Sequence, residues 1–160
     1  MFKRHQYLSG EINKASRCWV GYVDQYPVAF VASIAFPFGC KDARHAWREH
    51  RLVVLPDYQG IGIGNAVSET VAQGYVDAGF RYFSKTANPR CGIHRDHSPL
   101  WKPTSHNHKA RSDYLKDGKA RGKNRQSMSE ESQIIHSKRV CYSHEYVGKT
   151  KEDNNGTAED

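Results

Sequence analysis

A glycine-rich segment after a short apolar run carries the clearest chemistry in this sequence. Gly60, Gly62 and Gly64 stand at alternate positions after Gln59, and residues 52–55 form the apolar run before them. That run is short, β-branched and ended by a proline, so it predicts a buried strand. The first amides of a following helix lack partners within the helix and lie at the positive end of its dipole. The segment therefore predicts a strand, a loop and a helix that together bind phosphate or pyrophosphate.

The spacing of the glycines separates this loop from two common nucleotide-binding loops. A dinucleotide-binding loop has the pattern G-x-G-x-x-G, which glycines at 60, 62 and 64 do not fit. A P-loop needs Gly-Lys-Ser/Thr, and here Asn65 follows Gly64. A glycine-rich turn that joins a strand to a helix without binding a ligand remains the alternative.

The pattern V-x-P-x-x-Q-G-x-G-I-G, which begins at Val54, resembles the acyl-CoA pyrophosphate loop of the GNAT family of N-acyltransferases. The resemblance covers residues 51–83 and extends to residues 18–36; Leu55 is one residue more than the commonest spacing before the proline. It implies that acetyl-CoA or another acyl-CoA donates an acyl group directly to an amine in a ternary complex. The residues implied to contact this donor are Val53, Val54, Leu55, Gln59, Gly60, Ile61, Gly62, Ile63, Gly64 and Asn88.

The elements needed to position this loop can be read along the chain. Residues 18–23 and 28–36 predict a hairpin with its turn at 24–27, and residues 65–78 predict an amphipathic helix ended by Gly79. Residues 79–86 predict the next strand, and residues 134–148 predict one or two closing strands. The family resemblance implies an α/β (α+β) GNAT fold: a central mixed, mostly antiparallel sheet with flanking helices. In that fold two parallel strands splay apart, and the thioester lies between them.

Two residues at the start of the central strand are candidates for the general base. The resemblance implies a base there, because an amine must be neutral to attack a thioester. Glu49 and His50 fit this place. The alternative for Glu49 is an ion pair with Arg48 or Arg51. Strict alternation along the strand would put Glu49, Arg51 and Val53 on one face.

The general acid is harder to assign. Many GNAT proteins carry a tyrosine on the helix after the second splayed strand, and no tyrosine occupies that helix here. His94, His97 or Tyr114 can substitute, or solvent can protonate the thiolate. Alternation in the closing strand puts Val140, Tyr142, His144 and Tyr146 on one face. Tyr142 and Tyr146 are therefore candidates at the catalytic site, and a buried aromatic face is the alternative.

Residues 102–133 are rich in cationic side chains and poor in apolar ones, so they predict a basic loop inserted in the domain. Beside a catalytic cleft such a loop suits a phosphodiester backbone; elsewhere it is a solvated surface. The residues predicted to bind nucleic acid are Lys109, Arg111, Lys119, Arg121, Lys123 and Arg125. This part of the chain resembles phage-type, Mom-like DNA-modifying members of the GNAT superfamily, which implies adenine as an acceptor. A GNAT fold kept only for binding is a third alternative.

The bulk properties agree with a single domain. The chain has 160 residues and a net charge of +7, which favours an acidic partner such as nucleic acid or cofactor phosphates. We expect a GNAT-like domain over residues 1–148 and a disordered tail over 149–160.

His5 and Tyr7 lie in the region that the resemblance places over the acceptor. The scattered cysteines predict reduced, mostly buried thiols in a cytoplasmic protein, without a metal site. The sequence contains no run of 18 apolar residues, so it predicts no membrane span.

Overall fold

The computed structural model describes residues 2, 12–36, 45–110, 115–116, 119–120 and 139–148. The strands are β1 (Arg17–Val23), β2 (Tyr26–Ala35), β3 (Ala46–Val54), β4 (Arg81–Thr86), β5 (Trp101–Pro103), β6 (Lys109–Ala110), β7 (Leu115–Lys116), β8 (Lys119–Ala120) and β9 (Val140–Tyr146). The helices are α1 (Ile63–Asp77) and α2 (Pro89–His97), and a 3-10 turn spans Pro56–Tyr58.

The main sheet has seven strands in the order β1-β2-β3-β4-β9-β5, and β6 pairs with β9 at the end of that strand. The pair β3 and β4 is parallel, and the other pairings of this sheet are antiparallel. A two-residue turn at Asp24 and Gln25, both with positive φ, joins β1 to β2, which suits the twist of a tight hairpin. The prediction of a mixed, mostly antiparallel sheet with flanking helices is confirmed.

The two parallel strands part soon after they meet. Only Ala46–Arg48 of β3 pairs with Arg81–Phe83 of β4. Beyond that point β3 continues to Val54 on β2, and β4 continues to Thr86 on β9. The predicted wedge between splayed parallel strands is therefore present, and within the described residues one edge of each strand faces it without a partner strand.

A β-bulge in β3 corrects the predicted alternation of its side chains. Ser33 of β2 pairs with Glu49 and Ala32 pairs with Arg51, so His50 is an extra residue on β3. The bulge reverses the alternation. Glu49 thus lies on the α1 face with Leu52, not on the face of Arg51 and Val53: Glu49 bonds Ser68 of α1, while Val53 packs with Phe30 on the opposite face.

Helix α1 packs its apolar side on this sheet. Val71, Ala72 and Tyr75 are buried, and the Tyr75 ring stacks on Trp47 and Tyr82. The helix starts two residues before the predicted position, and Gly79 follows it with a φ of 81°. A left-handed residue just after a helix is most easily a glycine. The predicted helix and its glycine end are confirmed.

Several predictions fall outside the described residues: His5 and Tyr7, most of the basic segment 102–133, and the tail 149–160. In the described part no helix is long and apolar enough to cross a membrane. Of the described cysteines, Cys141 is buried, Cys91 is half-buried and Cys18 is exposed, and all three are free thiols. The expectation of buried thiols is therefore wrong for Cys18.

Candidate active site

The glycine loop presents an open backbone at the start of α1. Gly60 has a φ of 84° and Gly62, the residue before the helix, has a φ of 90°. A Cβ built on either glycine meets no atom of the described residues within 4 Å. No side chain of the described part caps the first turn of α1. The first helical amides therefore have no side-chain cap among the described residues, and there is open space beside the two glycines before them, which is an arrangement that suits an anion.

Gln59 and Gly64 attach this loop to the end of β3. The Gln59 side chain donates from Nε2 to the Val54 carbonyl oxygen at 2.8 Å. A Cβ on Gly64 would lie 3.1 Å from Cγ2 of Val54, so a glycine lets α1 approach the strand closely. Because the Leu55 amide donates to Val28 of β2, the peptide groups of Val54 point to the opposite edge, toward the wedge. The predicted donor residues Val54, Gln59 and Gly64 are thus brought together at one end of the wedge.

A buried ion pair occupies the point where β3 and β4 part. Nη2 of Arg95, on α2, lies 3.1 Å and 3.2 Å from the two carboxylate oxygens of Glu49. Ser68 donates to Oε2 of Glu49 at 2.5 Å, and Ser84 donates to Oε1 at 3.1 Å. Arg95 also bonds both serine hydroxyls. The Arg95 and Glu49 side chains are 1% and 7% exposed, so this is a buried network of four elements, β3, α1, β4 and α2.

The network gives Glu49 different partners from those considered from the sequence. Each of its carboxylate oxygens accepts two hydrogen bonds, which uses both lone pairs of each oxygen. Its ion-pair partner is Arg95 instead of the Arg48 or Arg51 considered from the sequence. The Arg95 guanidinium also lies 4.5 Å from the centre of the Trp101 ring. This geometry favours a structural role for Glu49.

His50, the extra residue of the bulge, lies on the face of the sheet opposite α1. It is half-buried, and burial together with the Arg51 and Arg48 charges lowers its pKa below the usual 6.5. A lowered pKa keeps the imidazole neutral near pH 7, so that it can accept a proton. Of the two residues considered as base, His50 is the one whose environment suits proton acceptance.

The two tyrosine candidates of β9 lie in different environments. Tyr146 is buried in the core, its hydroxyl donates to Gln73 at 3.0 Å, and burial, with Glu69 and Asp77, raises its pKa. That position favours the packing role. Tyr142 pairs with Thr86 at the open end of β4 and is half-buried. Its ring lies directly against Gly92 of α2, where a Cβ would come within 2.0 Å of the ring.

The predicted common face of β9 is confirmed for three residues, because Tyr142, His144 and Tyr146 contact Gly92, Asp96 and Gln73 on the helices.

Asn88 is the cap of α2, since its side-chain oxygen accepts from the Arg90 amide at 2.9 Å. His94 lies 3.0 Å from Glu69, and Nδ1 of His97 lies 2.8 Å from the Ile93 carbonyl oxygen. Tyr114, the other substitute considered for the acid, lies outside the described residues.

A carboxylate–histidine cluster on α2 was missed from the sequence. Asp96 binds Nε2 of His144 at 2.8 Å, Nε2 of His108 at 2.9 Å and the Asn107 amide at 2.8 Å. Burial raises the pKa of Asp96, but these hydrogen bonds outweigh it and the net pKa is lowered. Burial lowers the pKa of His144, which is fully enclosed. The partners are up to 48 positions apart, and no local spacing signals such a contact.

The described part of the basic segment contributes Lys109, which is exposed on β6, and the backbone of Lys119 in β8. Arg111, Arg121, Lys123 and Arg125 lie outside the described residues. The structure therefore leaves the nucleic-acid prediction for this segment as a prediction.

The sequence profile of the Acetyltransferase (GNAT) family matches residues 2–95, more than half of the chain. The chain therefore belongs to the GNAT acetyltransferase family. No curated protein matches it.

Among solved structures, the fold is similar to the ribosomal-protein-S18-alanine N-acetyltransferase of Escherichia coli, with a TM-score of 0.53 and 13% identity over 95% of this chain and 78% of that one. It is also similar to a Bacillus anthracis protein assigned as a streptothricin acetyltransferase and solved with acetyl coenzyme A. That match has a TM-score of 0.52 and 8% identity over 91% of this chain and 67% of the other. At these identities the likeness supports the fold.

The buried ion pair gives the first prediction. Glu49→Gln leaves the Arg95 charge buried without its counter-charge, and removing one partner of such a pair costs about 3–5 kcal/mol. We expect urea denaturation to show a loss of this order in the free energy of unfolding. Glu145→Gln is the control, because the Arg81–Glu145 pair is partly exposed and should contribute about 0–1 kcal/mol. Equal losses in the two variants would contradict a structural role for the Glu49 pair.

Proposed function

We propose that this protein is an acyl-CoA-dependent N-acyltransferase, in which an amine attacks the bound thioester directly in a ternary complex. The observation that carries the proposal is the open glycine backbone at Gly60 and Gly62, which lies at the end of the wedge between β3 and β4. Among the described residues, a helix start without a side-chain cap and a strand edge without a neighbouring strand occur together here. These are the two features that a long thioester donor with a pyrophosphate group needs.

The residues present fit such a donor. The amides from Gly60 to Gly64 would bind its pyrophosphate, since space over the loop is open and side chains of the described part leave these amides free. The peptide groups of Val54 face the wedge and would align the rest of the donor along the strand edge. The Val54 amide, which faces the wedge, would polarise the thioester carbonyl as negative charge develops on its oxygen. When bound, acetyl-CoA or a related acyl-CoA supplies an activated acyl carbon.

His50 is our choice for the group that takes the proton of the attacking amine. It is neutral near pH 7 because of burial and two neighbouring arginine charges, and it is placed at the bulge of the strand that borders the wedge. Glu49 holds the two splayed strands together through Arg95, Ser68 and Ser84. In this assignment Glu49 shapes the wedge and His50 carries the proton.

Donor binding is tested by placing a negative side chain in the loop. Gly62→Glu adds a carboxylate at the anion site and strains a left-handed backbone, and we expect titration calorimetry with CoA to show at least about a 100-fold loss of affinity. Gly79→Glu is the matched control, since Gly79 also has a positive φ and open space but lies at the other end of α1. Wild-type protein that binds neither CoA nor acetyl-CoA would overturn the proposal and favour a non-catalytic binding role.

The pH dependence of transfer tests His50. A base must be unprotonated to act, so kcat/KM should rise with pH through the His50 pKa, below 6.5, and then level off. His50→Gln should remove this acidic limb and lower kcat by about 10²–10⁴-fold, while CoA affinity by calorimetry stays the same. An acidic limb that survives in His50→Gln would assign it to another group.

The second candidate function is transfer to a nucleic acid, which would then be the acceptor. The face of the sheet opposite α1 and α2 carries Arg48 and Arg51 on β3, Lys85 on β4, Lys102 on β5 and Lys109 on β6. On the same face of β4 and β9, Arg81 already pairs with Glu145. These cations lie on the same face of the sheet as His50, and the net charge of the chain is +7. A phosphodiester backbone fits such a face, and the Mom-like resemblance agrees with a base amine as acceptor.

Salt dependence tests this acceptor. Binding to a short fluorescein-labelled DNA duplex, followed by anisotropy at several salt concentrations, should weaken linearly on a double-logarithmic plot. Combined replacement of Lys85, Lys102 and Lys109 by Gln should reduce the slope by about 0.9 for each phosphate that the protein no longer neutralises. Lys14→Gln, an exposed cation before β1, should leave the slope unchanged. Unchanged slopes in both variants, or no mass change in nucleosides from expressing cells, would argue against a DNA acceptor.

A further inference from the structure

Strand β1 is an edge strand with much exposed apolar surface. It lies at one end of the seven-stranded sheet, and among the described residues no strand pairs with its outer edge. Five of the nine exposed large apolar residues of the described part belong to β1 or to the first residue of β2: Trp19, Val20, Tyr22, Val23 and Tyr26. Edge strands of natural proteins are usually blocked by charges, by proline or by a covering segment. From residue 18 to residue 23 this strand has neither a charge nor a proline.

The described residues that precede β1 are held on a face of the sheet. Phe2 stacks on Phe30 with ring centroids 5.7 Å apart, and Ile12 packs on the same cluster of buried residues. This cluster lies on the face opposite α1, whereas the unpaired backbone of β1 is on the edge. The contacts of these two residues therefore leave the outer edge of β1 as a place for a strand from another molecule.

The side chains of β1 are complementary to those of a second, antiparallel β1. In a symmetric antiparallel pair the two-fold axis is perpendicular to the sheet, so each residue lies opposite one from the same face. Trp19 and Gly21 are both on the α1 face, where each lies against a side chain of α1, and Val20 is on the other face. An axis through Val20, the midpoint of Arg17–Val23, pairs all seven residues of the strand. Trp19 of one copy then lies opposite Gly21 of the other, which has no side chain to compete for the same space.

The charges at the two ends of the strand also favour a second copy as the occupant. In this register Arg17 of one copy lies opposite Val23 of the other and next to Asp24, and both charged residues are exposed. Between these ends the paired strands carry no charge, so the net charge of +7 on each chain opposes pairing least here. The exposed parts of Trp19, Tyr22 and two valines amount to roughly 300–400 Å² a copy, counting about 150–250 Å² for a whole aromatic side chain. Stable complexes bury roughly 800 Å² a partner, so this contact is weak and reversible.

We propose that the protein forms a dimer through β1, in which the β1 strands of two copies pair antiparallel about Val20 and join the two sheets into one. Because the axis is perpendicular to the sheet, α1 and α2 of both copies are on one side. His50 and the cations of its face are on the other side in both copies, so the dimer extends the basic face across the axis. A nucleic acid that crosses the axis gains affinity from two contacts in one complex. The interface contains no residue of the glycine loop or the wedge, so it stands independently of acyl-CoA binding.

Sedimentation velocity tests the dimer and its location. The wild-type protein should show a reversible monomer–dimer equilibrium with a Kd of about 1–100 μM, at the weak end for protein interfaces. Val20→Lys puts two like charges opposite each other at the axis and should weaken the dimer at least about 10-fold, and Val20→Glu should do the same. An equal mixture of these two variants should dimerise again, because opposite charges then meet at the axis. Val147→Lys is the control, since Val147 is also exposed and apolar but follows β9.

Two results would overturn the proposal. One is a wild-type protein that stays monomeric at concentrations well above this Kd range. The other is a Val20→Lys variant that dimerises as the wild type does, which would place the interface on another surface.

A cysteine at the axis tests the register. Val20→Cys in a Cys18→Ser background should form a disulfide-linked dimer with oxidised glutathione, because opposite residues of an antiparallel pair have Cα atoms about 4.5–5.5 Å apart. The wild-type protein is the matched control. Its exposed Cys18 lies opposite Tyr22 of the other copy, and the two Cys18 residues are roughly 13 Å apart along the strands, too far for a disulfide. Linkage through Cys18 in the wild type, with none in the Val20→Cys variant, would contradict pairing about Val20.

Discussion

The site depends on the buried hydrogen-bond network that joins β3 and β4 where their backbone pairing ends. Arg48 and Phe83 form the last backbone pair, and the next residues, Glu49 and Ser84, are joined through their side chains at 3.1 Å. Arg95 bonds both of them from α2. Side-chain bonds thus take over from the sheet ladder at the first position where it is missing. The strands can separate further along because their separation begins at a fixed, fully bonded point.

The donor side of this arrangement was readable from the sequence because its signals are local. A short apolar run, a proline, glycines at fixed positions and an amphipathic helix occupy one continuous stretch, and the structure has the strand, the loop and the helix in that order. The partners that complete the site are distant: Glu49 reaches Arg95 across 46 positions and Asp96 reaches His144 across 48. No periodicity encodes such pairs. The bulge at His50 was likewise invisible, because one extra residue in a strand leaves no mark in the sequence and yet reverses its faces.

The bulge has a direct electrostatic consequence. With strict alternation Glu49 and Arg51 would share a face, and His50 would lie on the opposite face with Arg48 and Leu52. The extra residue moves Glu49 to the buried α1 face, where Arg95 neutralises it, and leaves His50 with Arg48 and Arg51. One inserted residue therefore brings Arg51 as well as Arg48 to the face of His50 and gives the imidazole surroundings that disfavour its protonated form.

Helix α2 is held by tertiary contacts more than by its own helical preference. It has nine residues, begins with a proline after the Asn88 cap, and includes a buried glycine. Helices this short are marginal on their own. Arg95 fixes α2 to the junction of β3 and β4, and the next residue, Asp96, fixes it to β9 and to the turn that carries His108. Because these adjacent side chains bind opposite sides of the site, the position of α2 over Tyr142 follows from the same buried bonds that open the wedge.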